Sequence, residues 1–236
     1  MRVYYYTSAE NAIDDIGNSH IKVSVLDGVN DPNEWVPEVV HDDGKVLPIG
    51  EVRSRVMASL NLEWGFVSFC KSWDVAPMWG VYADRFRGAV LEFEIEDSLV
   101  NDVQYLPHRA SCTIGVFESP SKAEFREVIC RKSTDWRYEQ EVRYIIQLLP
   151  RNCELKGKHY FSPVGYSANE KVKLILTSVR CGPLMSNQDI GKIMFLLRKN
   201  HESKDVRLIK MKFSDSTFAI KEDFKWMPSQ QERGKG

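Results

Sequence analysis

Residues 133–146, STDWRYEQEVRYII, place two glutamates two positions apart, directly before a run of β-branched and aromatic residues. In an extended strand, side chains at i and i+2 point to the same face. Glu139, Glu141 and Arg143 then share one face. The opposite face carries the apolar positions Val142, Tyr144 and Ile146. The stretch predicts a late strand that sets two like charges beside a core.

Two interpretations of this carboxylate pair are open. In the first, Glu139 and Glu141 line a solvated sheet face, where Arg143 is an ion-pair partner of little energetic weight. In the second, the pair stands at the mouth of a cleft. Two acids this close raise each other's pKa, so one of them could accept a proton or anchor a hydrogen bond.

The composition indicates a globular chain. Of its 236 residues, 43% are hydrophobic, and they include eleven Phe, nine Tyr and six Trp. The formal net charge of −1 gives no global attraction to nucleic acid or membrane, so a polyanion would have to meet a local patch. No apolar run is long enough to cross a membrane, and the first residues lack the apolar core of a signal peptide. We therefore expect a cytoplasmic protein with no membrane partner.

The cysteines and histidines predict no metal site. The five cysteines are an odd number, widely spread and without a C-x-x-C pair, as expected for reduced thiols in the cytoplasm. The five histidines are equally scattered.

Short strands mixed irregularly with helices favour one α+β domain over residues 1–226, followed by a disordered tail at 227–236. Ser8 is placed to cap a short first helix, and Ser186 to cap a later one. The apolar spacing after Asp74 predicts a further helix that ends at Gly88.

Two further segments carry candidate site residues. Trp79 and Tyr82 fall on the apolar stripe of the helix predicted before Gly88, where they are either core residues or a platform on which a base or nicotinamide ring stacks. The composition of the stretch NDPNEW is typical of a turn. Its candidate residues Asn30, Asp31 and Glu34 are structural turn residues or part of a site. Asp31 and Glu34 are metal ligands only if a second carboxylate cluster joins them in space.

Five blocks occur in order along nearly the whole chain: VYYYTS, NDPNEW, SFCKSWDVAPMWGVYADRFRGAVLEF, DWRYEQEVRYI and LILTSVRCGPLMSNQDIGKIMFLLRK. They resemble the pattern of a mostly bacterial family, domain-of-unknown-function family 2971, which has a W-x-Y-E-x-E-x-R block at the corresponding place. This resemblance implies no settled activity.

The order of the blocks also resembles the ADP-ribosyltransferase superfamily, and YYTSAENA resembles the H-I-T-x-x-x-N-L block of its DNA-modifying toxin branch. The resemblance implies two small sheets flanking an NAD-binding cleft, with peripheral helices. It assigns Glu141 as the catalytic carboxylate that stabilises a cationic sugar, with Glu139 as the upstream acid. Tyr5, which replaces a His of that branch, and Thr7 would contact the nicotinamide ribose. The nicotinamide would pack near the mid-chain block, whose candidate residues are Ser68, Trp79 and Tyr82.

Three hypotheses for function follow. The first is an enzyme that cleaves NAD and transfers ADP-ribose to a nucleic-acid or protein acceptor, as a toxin or phage-defence effector. The second is a non-catalytic module of the same fold that binds a nucleotide or a partner. The third is a metal-dependent nuclease that uses Asp31, Glu34, Glu139 and Glu141. Under the first two, the strands that contain Tyr5, Ser68 and Glu141 are expected to converge on one cleft.

Overall fold

The computed structural model describes residues 1–31, 33–41, 43–60, 63–113, 122–167 and 170–226. The tail at 227–236 lies outside the described residues. The chain is a mixed α/β protein with a large mixed sheet and a few helices. No helix in the described part of the chain is long and apolar enough to span a membrane.

The strands are β1 (Arg2–Thr7), β2 (His20–Val23), β3 (Glu38–Val40), β4 (Trp64–Cys70), β5 (Ala89–Glu94), β6 (Val100–Asp102), β7 (Gln104–Leu106), β8 (Ser111–Thr113), β9 (Arg131–Ser133), β10 (Glu141–Gln147), β11 (Glu154–Lys156), β12 (His159–Gly165), β13 (Leu174–Cys181), β14 (Arg207–Phe213) and β15 (Ile220–Glu222). The helices are α1 (Ala9–Asn18), α2 (Ile49–Leu60), α3 (Ala76–Val81), α4 (Lys122–Ile129) and α5 (Asn187–Lys199).

The chain folds into two compact units. Unit 1 comprises Met1–Ile21, Phe69–Glu96 and Pro163–Gly236, and unit 2 comprises Lys22–Ser68 and Asp97–Ser162. The single domain over residues 1–226, and an ADP-ribosyltransferase-like arrangement of two sheets about a cleft, stay predictions.

In unit 1, the central strand β5 lies antiparallel between β1 and β13, and β14 runs parallel to β13. The sequence of β5 is a nearly continuous apolar run, as expected for a strand that is covered on both faces, and its apolar side chains line this sheet. Its one buried charge, Glu92, accepts a hydrogen bond from Ser178 at 3.0 Å and pairs with Arg180 on β13. The helices α1 and α5 pack against each other.

The helix caps of unit 1 match the sequence. Ser8 accepts a hydrogen bond from the Asn11 amide at 3.1 Å at the start of α1, and Ser186 accepts one from the Asp189 amide at the start of α5. Both serines have the extended backbone expected of an N-cap residue. Both cap predictions are confirmed.

The prediction of a helix that ends at Gly88 is wrong beyond Val81, where α3 ends. α3 has six residues and starts after Val75 rather than at an Asp74 cap. Three consecutive residues then adopt positive φ angles of 42°, 51° and 69°, which no right-handed helix can accommodate; they are Asp84, Arg85 and Phe86. This turn brings Gly88 so close to β1 that a Cβ there would lie 2.1 Å from the Thr7 carbonyl oxygen.

In unit 2, β10 lies between the first part of β4 and β6, antiparallel to β6. Unit 2 also contains two parallel pairs, β3 with β8 and β7 with β9, and the strand β11, which pairs antiparallel with the first part of β12. An apolar core surrounds them and includes Trp35, Val39, Val56, Phe66, Ile129 and Ile145.

The opening stretch is only partly a strand. Residues 134–139 form a 3₁₀ helix, Gln140 takes a left-handed conformation with φ of 46°, and β10 begins at Glu141. The prediction that Glu139 lies on the strand is therefore wrong. The solvated-face interpretation is also wrong, because Glu141, Val142 and Arg143 are all buried.

Candidate functional site

Five charged side chains of unit 2 form a buried cluster, which we call the charge cluster. Its members are Glu34, Lys132, Glu139, Glu141 and Arg143. Each side chain is only 1–6% exposed. Burying charge is costly unless it is paired, so the geometry of these pairs decides whether the cluster can form.

Lys132, on β9, is the centre of the charge cluster. Its Nζ lies 2.6 Å from a Glu139 oxygen, 3.0 Å from a Glu34 oxygen and 3.4 Å from a Glu141 oxygen. Burial alone would lower the pKa of Lys132, but the three carboxylates raise it above the ordinary value, with Glu141 contributing most. Lys132 is thus a fixed cation at neutral pH.

Arg143, on β10, fixes the orientation of Glu141. Its Nε donates to Glu141 Oε1 at 2.7 Å and its Nη2 to Glu141 Oε2 at 2.9 Å, which is the bidentate arrangement that a planar guanidinium favours. Nη2 also donates to Glu34 Oε1 at 2.9 Å, and Nη1 donates to the Ile129 carbonyl oxygen. The guanidinium lies 4.5 Å above the Phe66 ring.

Glu141 is held ionised. Burial would raise its pKa, but Arg143, Lys132 and a hydrogen bond from the Ser68 hydroxyl lower it to about 2. The interpretation in which the paired acids raise each other's pKa is therefore wrong for Glu141. The two glutamates do meet, but through Lys132, after the left-handed turn at Gln140 redirects the chain.

The structure brings Ser68, Glu34, Glu139 and Glu141 together in unit 2. Asp31 forms a turn by accepting a hydrogen bond from the Asn33 amide at 2.9 Å, which confirms the turn prediction there. Asn30 is exposed. The second carboxylate cluster that a metal site required is present, yet Lys132 and Arg143 already occupy its oxygens.

The other predicted site residues belong to unit 1. Tyr5 and Thr7 both lie on β1, and their side chains are hydrogen bonded to each other. Burial raises the pKa of Tyr5. Trp79 is fully buried and its Nε1 donates to the Trp73 carbonyl oxygen at 2.7 Å, so it is a core residue with no ring face left for a ligand. Tyr82 is half-buried at the end of α3.

A cavity of about 150 Å³ opens beside the charge cluster, within unit 2. Its lining includes Glu34 and Lys132, together with Asp31, His108, Arg109 and Arg131. Arg109 donates to the carbonyl oxygens of Asn33 (2.9 Å) and Val36 and to the Asn33 side-chain oxygen at 3.3 Å. Among the residues that the structure describes, no carboxylate forms an ion pair with it. Arg109 is therefore a cation of the cavity wall whose charge no described carboxylate neutralises.

A half-exposed aromatic pair stands next to this cavity. Trp136 Nε1 donates to Asp31 Oδ2 at 3.0 Å, and the Trp136 and Tyr138 ring centroids lie 6.1 Å apart. The sequence did not identify Arg109, Trp136 and Tyr138 as site residues. Nothing in the order of residues indicates that position 109 lies beside position 31. The pairing of Arg143 with Glu141 was visible as an i, i+2 strand pair.

Comparison of the chain with protein-family models, with curated proteins and with solved structures found no match. The proposals below therefore depend on the geometry and on the sequence patterns.

Proposed function

We propose that this chain is a binding module for a nucleotide or a related phosphate-bearing ligand, which it holds in the unit 2 cavity without chemical conversion. The observation that carries the proposal is Arg109, an exposed guanidinium on the cavity wall whose described acceptors are all neutral. Guanidinium groups bind phosphate oxygens through paired, charge-assisted hydrogen bonds.

The size of the cavity defines which part of the ligand it takes. A volume of about 150 Å³ is below the roughly 300–1,000 Å³ typical of sites for drug-sized ligands. It suits the phosphate end of a nucleotide. The base would lie outside, against the half-exposed ring of Trp136.

We infer that the ligand is not chemically converted, because the Glu141 carboxylate is already paired and buried. Its two carboxylate oxygens are engaged by Arg143 and Lys132, and its side chain is 5% exposed. A carboxylate that stabilises a sugar cation has to reach that sugar. Here Glu141 supports the charge cluster behind the cavity.

An ADP-ribosyltransferase-like enzyme, which cleaves NAD and modifies a nucleic-acid or protein acceptor as a toxin or phage-defence effector, is the second candidate. The hydrogen bond between Ser68 and Glu141 favours it, because it joins two residues that the resemblance assigns to one site. The low pKa of Glu141 also keeps the negative charge that such a transition state needs. This function requires Glu141 to exchange a cation partner for the substrate.

The test combines calorimetry with an NAD turnover assay. The wild type should bind ADP, and Arg109→Gln should weaken binding about tenfold or more. Arg151→Gln changes an exposed arginine of the same unit and is the matched control, expected to bind as the wild type does. No nicotinamide should be released from NAD. Equal binding by Arg109→Gln would refute the cavity assignment, whereas nicotinamide release that is lost in Glu141→Gln would establish the enzyme instead.

A further inference from the structure

Three side chains of unit 1 with metal-ligating groups meet at the end of α1. Asp14 and Asp15 lie in its last turn, and His20 is the first residue of β2. Ser19, between them, has a left-handed conformation with φ of 51°, which turns the chain back so that His20 faces the helix end. One ligand atom from each of the three residues lies within 4.8 Å of the other two.

The separations suit a common cation. His20 Nε2 is hydrogen bonded to Asp14 Oδ2 at 3.0 Å and lies 4.0 Å from Asp15 Oδ1, so a bound ion would replace the proton that His20 and Asp14 share. Zinc binds imidazole nitrogen and carboxylate oxygen at about 2.0–2.2 Å, so neighbouring ligands around it stand roughly 3.0–3.6 Å apart. The separation between His20 and Asp15 would have to shorten by a few tenths of an ångström when the ion binds.

A second and independent observation points to a missing partner. Asp15 is only 6% exposed, yet its Oδ2 has no hydrogen-bond partner among the described residues. An unpaired buried carboxylate oxygen is costly and rare in folded proteins. A cation coordinated by Asp15 would compensate for its desolvation.

The surroundings also fit a metal. The Asp14 side chain is 56% exposed, so the group of three is open to solvent on one side and could retain water as a further ligand. Its other oxygen, Oδ1, accepts a hydrogen bond from Asn18 Nδ2 at 2.8 Å, which fixes the carboxylate orientation in the way that outer partners of metal ligands do.

We propose that Asp14, Asp15 and His20 form a site for a divalent transition-metal ion, with Zn²⁺ as the best match for two carboxylate oxygens and one imidazole nitrogen. This donor set is harder than a thiolate site and lacks the many oxygen ligands that Ca²⁺ requires. With three protein ligands, the ion keeps an open position for water.

The competing account of the same geometry is a neutral Asp15. Burial, and then the neighbouring Asp14, raise the pKa of Asp15 to about 8, so a protonated carboxyl without a metal is the alternative resolution. The two accounts differ in whether the chain binds the ion.

The experiment titrates metal-free full-length chain with ZnCl₂ by calorimetry and follows Co²⁺ binding by its absorption spectrum. We expect one ion per chain and a higher Tm with Zn²⁺. The exposed position of Asp14 allows Asp14→Asn to fold, and this variant should bind at least tenfold more weakly, as should His20→Gln. Glu10→Gln changes an exposed carboxylate on the same helix and should bind as the wild type does.

The Co²⁺ spectrum guards against binding to cysteines. The proposed site contains no sulfur, so no thiolate charge-transfer band should appear. Binding that is unchanged in both Asp14→Asn and His20→Gln, a thiolate band, or no binding at millimolar metal would each overturn the proposal.

Discussion

At the scale of single residues, Lys132 allows three carboxylates to be buried together. Lys132→Met leaves Glu34, Glu139 and Glu141 with Arg143 as their remaining cation in the charge cluster. Removing one partner of a buried ion pair costs about 3–5 kcal/mol, because the other charges stay buried and unpaired. We expect a loss of that size in the free energy of unfolding, measured by urea denaturation.

The adjacent Arg131 is the matched control for this change. It is half-exposed and pairs at the surface with Glu127. Exposed pairs contribute about 0–1 kcal/mol, so Arg131→Met should lower stability by no more than that. Similar losses in the two variants would contradict a central role for Lys132.

Glu141 should make the free energy of unfolding depend on pH in the acidic range. Its pKa is lowered from 4.5 to about 2 in the folded chain, so the unfolded chain binds a proton more readily. The stability from Glu141 is therefore complete above pH 4.5 and is lost as the pH falls toward 2. The shift corresponds to about 3 kcal/mol at neutral pH.

The measurement compares urea unfolding of the wild type and Glu141→Gln across this pH range. The difference in unfolding free energy between them should be largest at neutral pH and shrink as the pH falls from 4.5 to 2. Glu154→Gln removes a 69% exposed glutamate of β11 and should show no such trend. A constant difference for Glu141→Gln at all pH values would contradict the assignment.

At the scale of elements, the turn after α3 depends on Gly88. Its missing Cβ lets the backbone approach β1, where a methyl group would meet the Thr7 carbonyl oxygen at 2.1 Å and the Ala83 carbonyl oxygen at 2.9 Å. Backbone atoms cannot rotate away as a side chain can. Gly88→Ala should therefore destabilise the chain by at least about 1–3 kcal/mol in urea denaturation.

Gly50 provides the opposite case for comparison. It lies in α2, and apart from its chain neighbours and the backbone of its own helix, a methyl group added to its Cα would meet no described atom within 4 Å. Alanine has the higher helix propensity, so Gly50→Ala should leave stability unchanged or raise it by up to about 1 kcal/mol. A harmless Gly88→Ala would mean that β1 and the turn do not approach each other as described.

Local patterns predicted the elements that local interactions determine. The caps at Ser8 and Ser186 follow from one side-chain hydrogen bond each. The buried stripe of α5 follows from helical spacing and comprises Ile190, Ile193, Met194 and Leu197. The helix predicted to reach Gly88 failed because the same apolar spacing also suits a short helix followed by a tight turn. Contacts with residues distant in sequence select the second: the close approach to Thr7, and the hydrogen bonds that Gly182 and Leu184 donate to the turn.

At the scale of the whole molecule, the charge cluster shows why the site was harder to predict than the strands. The sequence placed Arg143 beside Glu141, since the two residues are two positions apart on one strand. It could not place Glu34 there, because the contact with Arg143 spans 109 positions. It also could not identify Lys132 as buried, since lysines are almost always exposed unless paired.

The binding proposal and the enzyme proposal differ in which unit supplies the aromatic ring for a base. The unit 2 cavity implicates Trp136, through its bond to Asp31, whereas the superfamily resemblance implicates Tyr82 of unit 1. Stacking of a base on an aromatic ring contributes roughly 1–3 kcal/mol by alanine substitution. Trp136→Ala should therefore weaken ADP binding about tenfold or more.

Inorganic phosphate separates lost stacking from a damaged cavity, because phosphate has no base. In calorimetry, Trp136→Ala should bind phosphate as the wild type does, and Tyr82→Ala should leave the affinity for ADP unchanged. If phosphate binding falls together with ADP binding, Trp136 shapes the cavity through Asp31 and does not stack. Stacking energy is lost only where the substituted ring meets the base. If Tyr82→Ala weakens binding of ADP or NAD while Trp136→Ala does not, the nucleotide is therefore held by unit 1. That outcome would favour the ADP-ribosyltransferase-like alternative.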